Sequence, residues 1–137
     1  MAKDLFHNAV REALQKKGWT ITDDPYKIDT KQPKFDYEID FGAERFIGAE
    51  RGTEKIAVEV KSFLRTSIPY EFHAALGQYI SYRIALQFQE PEREVVLAMP
   101  VFAFDKLSDG LHLIIEQTQL EILVFDPENQ SITLWKR

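Results

Sequence analysis

Lys55-Ile56-Ala57-Val58-Glu59-Val60-Lys61-Ser62 is the stretch on which the reading of this chain turns. It is a short apolar run with a carboxylate and an ammonium two residues apart. As a β-strand it places Ala57, Glu59 and Lys61 on one face and Ile56, Val58 and Val60 on the other. The apolar face joins a core, and the opposite face brings two charged heads together where the strand ends. Acids that can meet them lie upstream at Asp36, Asp40, Glu44 and Glu50. An amide that can meet them lies downstream at Gln78.

Upstream, Tyr37 to Gly42 alternates, and Ala43 to Gly52 reads as extended structure closing in a hairpin at Gly52-Thr53. Gly42 and Gly48 permit a bulge or a close backbone approach, so the register before Glu59 stays open. Downstream, Pro69 suits the first position of a helix capped by Ser67 or Ile68 and running to about Gln87. On that helix Gln78 and Tyr82 share a face, and Gly77 would allow tight packing on a sheet. Val95 to Met99 is a buried strand that Pro100 ends or marks as an edge. Residues 102–107 and 110–117 read as short helical pieces, and Leu120 to Phe125 with Ser131 to Trp135 as a hairpin about Asp126-Pro127-Glu128-Asn129.

At the other end, Leu5, Phe6, Ala9, Val10, Ala13 and Leu14 recur at helical spacing over residues 3–17, with Lys16 and Lys17 at the negative end and Gly18 as cap. His7 and Glu12 could approach a site from this helix. Trp19 to Thr22 is a short strand. Residues 25–37 form a loop with short extended pieces, made basic by Lys27, Lys31 and Lys34. The order of elements predicts one α/β domain over residues 1–137, a mixed or largely antiparallel central sheet with helices packed on it. Trp19 and Trp135 are expected to anchor the core or a sheet edge, and Phe102 and Phe104 to be buried or to form a partner patch.

Composition limits the function classes. An apolar share of 45% in 137 residues supports a folded core. No apolar run is long enough to cross a bilayer, and the first residues carry no signal-like apolar region, so a cytoplasmic location is expected. The absence of cysteine excludes disulfides and thiolate zinc sites. A net charge of −5 argues against coating nucleic acid by bulk electrostatics, but not against an enzyme with acidic metal ligands and a small basic rim. Arg65, Arg83 and Lys34 are the candidate DNA contacts.

Phosphodiester hydrolysis with magnesium needs carboxylate and carbonyl oxygens around the ion and a positioned water. Asp40, Glu59 and the Val60 carbonyl supply such ligands. Lys61 would stand beside the water, and Gln78 would position Lys61 or the nucleophile. Glu50, Glu44 and Asp36 are alternative acids. Mg2+ is the expected ion, with Mn2+ as the alternative.

Asp40, eighteen residues, Glu59-Val60-Lys61 and then Gln78-x-x-x-Tyr82 resembles the PD-(D/E)XK nuclease superfamily, with Ile39 where a proline often precedes the acid. That resemblance implies a restriction-endonuclease-like core, metal-dependent DNA cleavage at Asp40, Glu59 and Lys61, and Gln78 and Tyr82 as site support of the RecB-like kind. The chain also resembles the XisH family, the fdxN-element excision controlling factors. Phe6-His7-Asn8-Ala9-Val10-Arg11-Glu12-Ala13-Leu14, residues 17–22, 40–44 and 49–63, Gly77-Gln78-Tyr79-Ile80-Ser81-Tyr82-Arg83 and residues 123–127 carry it. It implies an accessory factor in DNA rearrangement during cyanobacterial heterocyst differentiation, acting with a separate site-specific recombinase and an XisI-type protein. The rival readings are a non-catalytic protein-interaction module and a structural homo-oligomer.

Overall fold

Residues 2–37, 46–65 and 67–137 are described in a computed structural model. The elements are α1 (Ala2–Lys16), β1 (Thr20–Asp23), β2 (Ile28–Asp29), β3 (Asp36–Tyr37), β4 (Phe46–Arg51), β5 (Glu54–Val60), α2 (Ile68–Gln89), β6 (Arg93–Pro100), α3 (Val101–Phe104), α4 (Asp109–Thr118), β7 (Ile122–Asp126) and β8 (Ser131–Lys136). Six strands form one mixed sheet in the order β1-β4-β5-β6-β7-β8. The β5/β6 and β6/β7 pairs are parallel and the others antiparallel. β2 and β3 make a separate two-stranded ribbon. The expected extended structure at residues 38–42 lies outside the described residues.

Helices cover both faces of the sheet, which is why its central strands are nearly continuous apolar runs. Ile56, Val58 and Val60 pack in one cluster with Phe6, Val10 and Leu14 of α1. Ala57 belongs to the other cluster, with Phe46, Phe72, Ala75, Tyr79 and Leu97. The alternation read in the sequence therefore holds. α2 carries the crossover between parallel β5 and β6. Its cap is Ser67, whose hydroxyl accepts the Tyr70 N–H at 3.2 Å. Ile68 opens the helix and Pro69 follows in the first turn, where its missing N–H is harmless.

Two expectations are corrected. Pro100 marks no edge, because β6 lies between β5 and β7. It ends the β5/β6 ladder: the Lys61 N–H still donates to the Ala98 carbonyl at 3.0 Å, but Pro100 has no N–H for the next step. Gly77 is exposed and has open space about it, so it permits no tight packing. Gly48 does. A Cβ there would lie 2.9 Å from Asp23 Oδ2 and 3.0 Å from the Tyr26 ring. Gly48→Ala is expected to cost about 1–3 kcal/mol of stability by overpacking, read as a lower urea midpoint.

A polar knot closes the end of the sheet where β5 and β6 begin. Arg93 is buried, donates to the Ile56 carbonyl at 2.8 Å and to Glu90 Oε1 at 2.7 Å, and stacks 4.7 Å from the Tyr26 ring. The Tyr26 hydroxyl donates to the same Glu90 oxygen at 2.8 Å, and Gln89 Nε2 donates to the Lys27 carbonyl. The Arg93 guanidinium holds the Glu90 carboxyl down at about 2, below its ordinary 4.5. A depressed carboxyl stabilises the fold above its unfolded value and loses that contribution as pH falls through the folded one. Stability is therefore expected to drop between about pH 4.5 and 2, and Glu90→Gln to flatten this limb in urea titrations at successive pH values.

Candidate active site

Glu59 and Lys61 meet where β5 runs out toward α2. Glu59 is 4% exposed. Lys61 Nζ stands 3.2 Å from Glu59 Oε1. The strand fixes this pair, since residues i and i+2 share a face and the neighbours on the other face are locked into the α1 core. The Lys61 N–H points to β6, so alternation turns the Val60 carbonyl to the β4 side.

α2 supplies the roof. Phe46 sits directly across from Glu59 on β4, and the Tyr82 ring lies 4.7 Å from the Phe46 ring. The Gln78–Tyr82 face of α2 thus lies over the strand that flanks Glu59. Gln78 is half-buried, and its Oε1 is shielded from solvent with no hydrogen-bond donor among the described residues. An amide oxygen so placed has capacity for a ligand or a water.

The candidate acids separate. Glu50 pairs with Lys55 four residues along β4 from Phe46, roughly 13 Å from the level of Glu59. Its Oε1 lies 3.6 Å from Arg93, so it belongs to the polar knot and is too remote to share an ion with Glu59. Asp36 is exposed on the separate ribbon. Asp40 and Glu44 lie outside the described residues. β4 begins at Phe46, the residue opposite Glu59.

The expected basic rim also divides. Lys34 is paired with Asp29 at 2.8 Å on the ribbon. Arg83 donates to the Thr118 carbonyl at 3.0 Å and covers the Tyr79 ring, at the amino ends of β6 and β7. Arg65 is exposed, four residues beyond Lys61. His7 is buried, with Nε2 2.9 Å from Asp24 Oδ2, and Arg11 reaches the same carboxylate oxygen. Glu12 is exposed. His73 is exposed against the Phe72 ring. The sequence carried no sign that Asp24 joins His7 and Arg11, because those partners are 17 and 13 residues away.

Among the described residues no three His, Asp or Glu side chains cluster to hold a metal. The donor chemistry still fits Mg2+ or Mn2+. Glu59 offers a carboxylate and Val60 a carbonyl, both hard oxygen ligands, and Asp40 or Glu44 would complete the set.

The family model described as XisH protein matches residues 1–133. Two solved structures are similar over almost the whole chain. An XisH family protein from Nostoc punctiforme PCC 73102 is 42% identical, with TM-score 0.86, covering 98% of this chain and 100% of that one. An fdxN element excision controlling factor protein from Anabaena variabilis is likewise 42% identical, with TM-score 0.86, covering 98% and 99%. The comparison with curated proteins gave no match. With matching extending from the first helix into the last strand, this chain belongs to the XisH family.

Proposed function

We propose that this protein acts in the control of DNA-element excision as a divalent-metal-dependent phosphodiesterase with a PD-(D/E)XK-type centre. The observation that carries the reading is the Glu59–Lys61 pair, with Glu59 buried, at the end of a central strand beneath the Gln78–Tyr82 face of α2. A bound Mg2+ would polarise the phosphate and acidify the attacking water. Glu59, the Val60 carbonyl and Asp40 would hold the ion. Lys61, beside Glu59, would orient the water and offset charge developing on the phosphate. Gln78 would hold the water or the Lys61 ammonium through its amide. Arg65 would touch the DNA backbone beside the cut. Purified protein incubated with Mg2+ or Mn2+ and linear, supercoiled, branched and single-stranded DNA is expected to cleave at least one form. Absence of cleavage in all of them, with the fold verified, would remove the catalytic part.

A second reading is a non-catalytic module that binds an XisI-type protein within a recombinase system. It is favoured by the outward side of α2, where Ile84 and Phe88 are 44% and 54% exposed and Phe88 stacks on Phe35. No helix among the described residues is long and apolar enough to cross a membrane.

A further inference from the structure

The chain leaves β5 for α2 through a strained residue. Lys61 still bonds to β6, its N–H donating to the Ala98 carbonyl at 3.0 Å. Two residues on, Phe63 stands at φ +59°, a left-handed conformation that bulky side chains rarely adopt. Its ring is buried in the same core as Phe72 and Met99. Burial of that ring holds the turn in place while the chain beyond it swings out of the sheet. Leu64 follows at 50% exposure, and Arg65 is exposed after it. The Arg65 N–H donates to Glu71 Oε1 at 3.4 Å, which ties the loop to the first turn of α2. There the Ser67 cap fixes the backbone of Tyr70, whose side chain, at 68%, is the most exposed large hydrophobic among the described residues.

An aliphatic side chain, a guanidinium and an aromatic ring are thus presented at the end of β5 where Glu59 and Lys61 meet. Charge decides what they suit. Of Lys34, Arg65 and Arg83, only Arg65 stands near Lys61, since Lys34 is paired on the ribbon and Arg83 sits at the amino ends of β6 and β7. The whole chain carries −5. A duplex gripped through its backbone needs several cations, because each phosphate contact adds its own counterion release. Unpaired DNA needs fewer. An aromatic ring gains affinity by stacking on a base of any sequence, and the face of a base is open to it only outside the duplex stack.

We propose, building on the phosphodiesterase reading, that Leu64, Arg65 and Tyr70 form a margin that selects unpaired DNA as the substrate: single strands and the forks where a duplex opens. Tyr70 stacks on an unpaired base, Arg65 holds a phosphate beside it, and Leu64 wedges against the last paired base of a fork. The strand then runs on to the Glu59–Lys61 pair. The turn at Phe63 and the cap at Ser67 hold the two apolar groups in place before DNA arrives, so little ordering is needed on binding.

Fluorescence anisotropy with labelled single-stranded, forked and duplex oligonucleotides tests this in EDTA, where affinity is read whether or not the chain cleaves. The wild-type chain is expected to bind single strands and forks at least about tenfold more tightly than duplex. Tyr70→Ala is expected to cut that ratio about tenfold, and Tyr70→Phe, which keeps a stacking ring, to restore it. Leu64→Ala should lower the affinity for forks more than that for single strands. All three side chains are exposed, so urea midpoints should match wild type. Equal affinity for duplex, no binding to any of the three DNAs, or a preference that survives both alanine substitutions would overturn the assignment and leave Leu64 and Tyr70 to a protein partner. A Tyr70-dependent preference without cleavage of any DNA would uphold this margin and remove the catalytic reading. Cleavage without the preference would do the reverse.

Discussion

Glu59→Gln is expected to lower metal-dependent DNA cleavage by at least about 10³-fold, several kcal/mol of transition-state stabilisation, while leaving the protein folded. The carboxylate is the one acid that the described structure places beside Lys61 at the end of β5. In the proposed centre its loss removes a metal ligand and an anion beside the Lys61 ammonium. The amide is nearly isosteric, so packing against the Phe46 and Leu97 positions is retained. Burying a carboxylate is costly even when it is paired, so the urea midpoint should hold or rise. Lys61 remains partly open to water and loses little when its partner is neutralised. Cleavage rates and urea curves on the same preparation check both halves. Undiminished cleavage by the variant would locate the chemistry elsewhere or in a contaminant.

Arg93→Ala is expected to destabilise the fold by about 3–5 kcal/mol. The substitution strips Glu90 of its guanidinium and removes a buried donor from the Ile56 carbonyl. It also removes the cation from the face of Tyr26, which anchors the loop after β1. Urea denaturation should show a large fall in midpoint at neutral pH. The difference from wild type should narrow as pH falls through the range where Glu90 protonates, since the pair is then lost in both proteins. A loss below about 1 kcal/mol would mean that the knot merely decorates the sheet end.

What the sequence disclosed tracks how local the determining contact is. The two faces of β5 were legible because alternation is a property of consecutive residues, and both faces were already apolar around Glu59 and Lys61. The α2 cap at Ser67, the hairpin at Gly52-Thr53 and the β7–β8 turn are also set by neighbours in the chain. The outward position of Gly77 was not legible, because α2 is apolar around much of its circumference and Ile84 and Phe88 blur the buried stripe. Choice among the acids required the β4/β5 register, and one pairing, Glu50 with Lys55, removes Glu50 from the site. The His7–Asp24–Arg11 and Tyr26–Glu90–Arg93 groupings were hidden because their members come together only across the finished sheet. The Tyr82–Phe46 contact shows how both kinds of information combine. Helical spacing put Tyr82 with Gln78, and only the strand pairing put Phe46 beside Glu59.

Crystals grown with Mn2+ and measured at its absorption edge test the central claim most directly. The account predicts an anomalous peak about 2.1 Å from a Glu59 carboxylate oxygen, with the Val60 carbonyl and an acid from residues 38–45 as further ligands. A fully occupied manganese that avoids Glu59, or no peak at saturating metal, would contradict it.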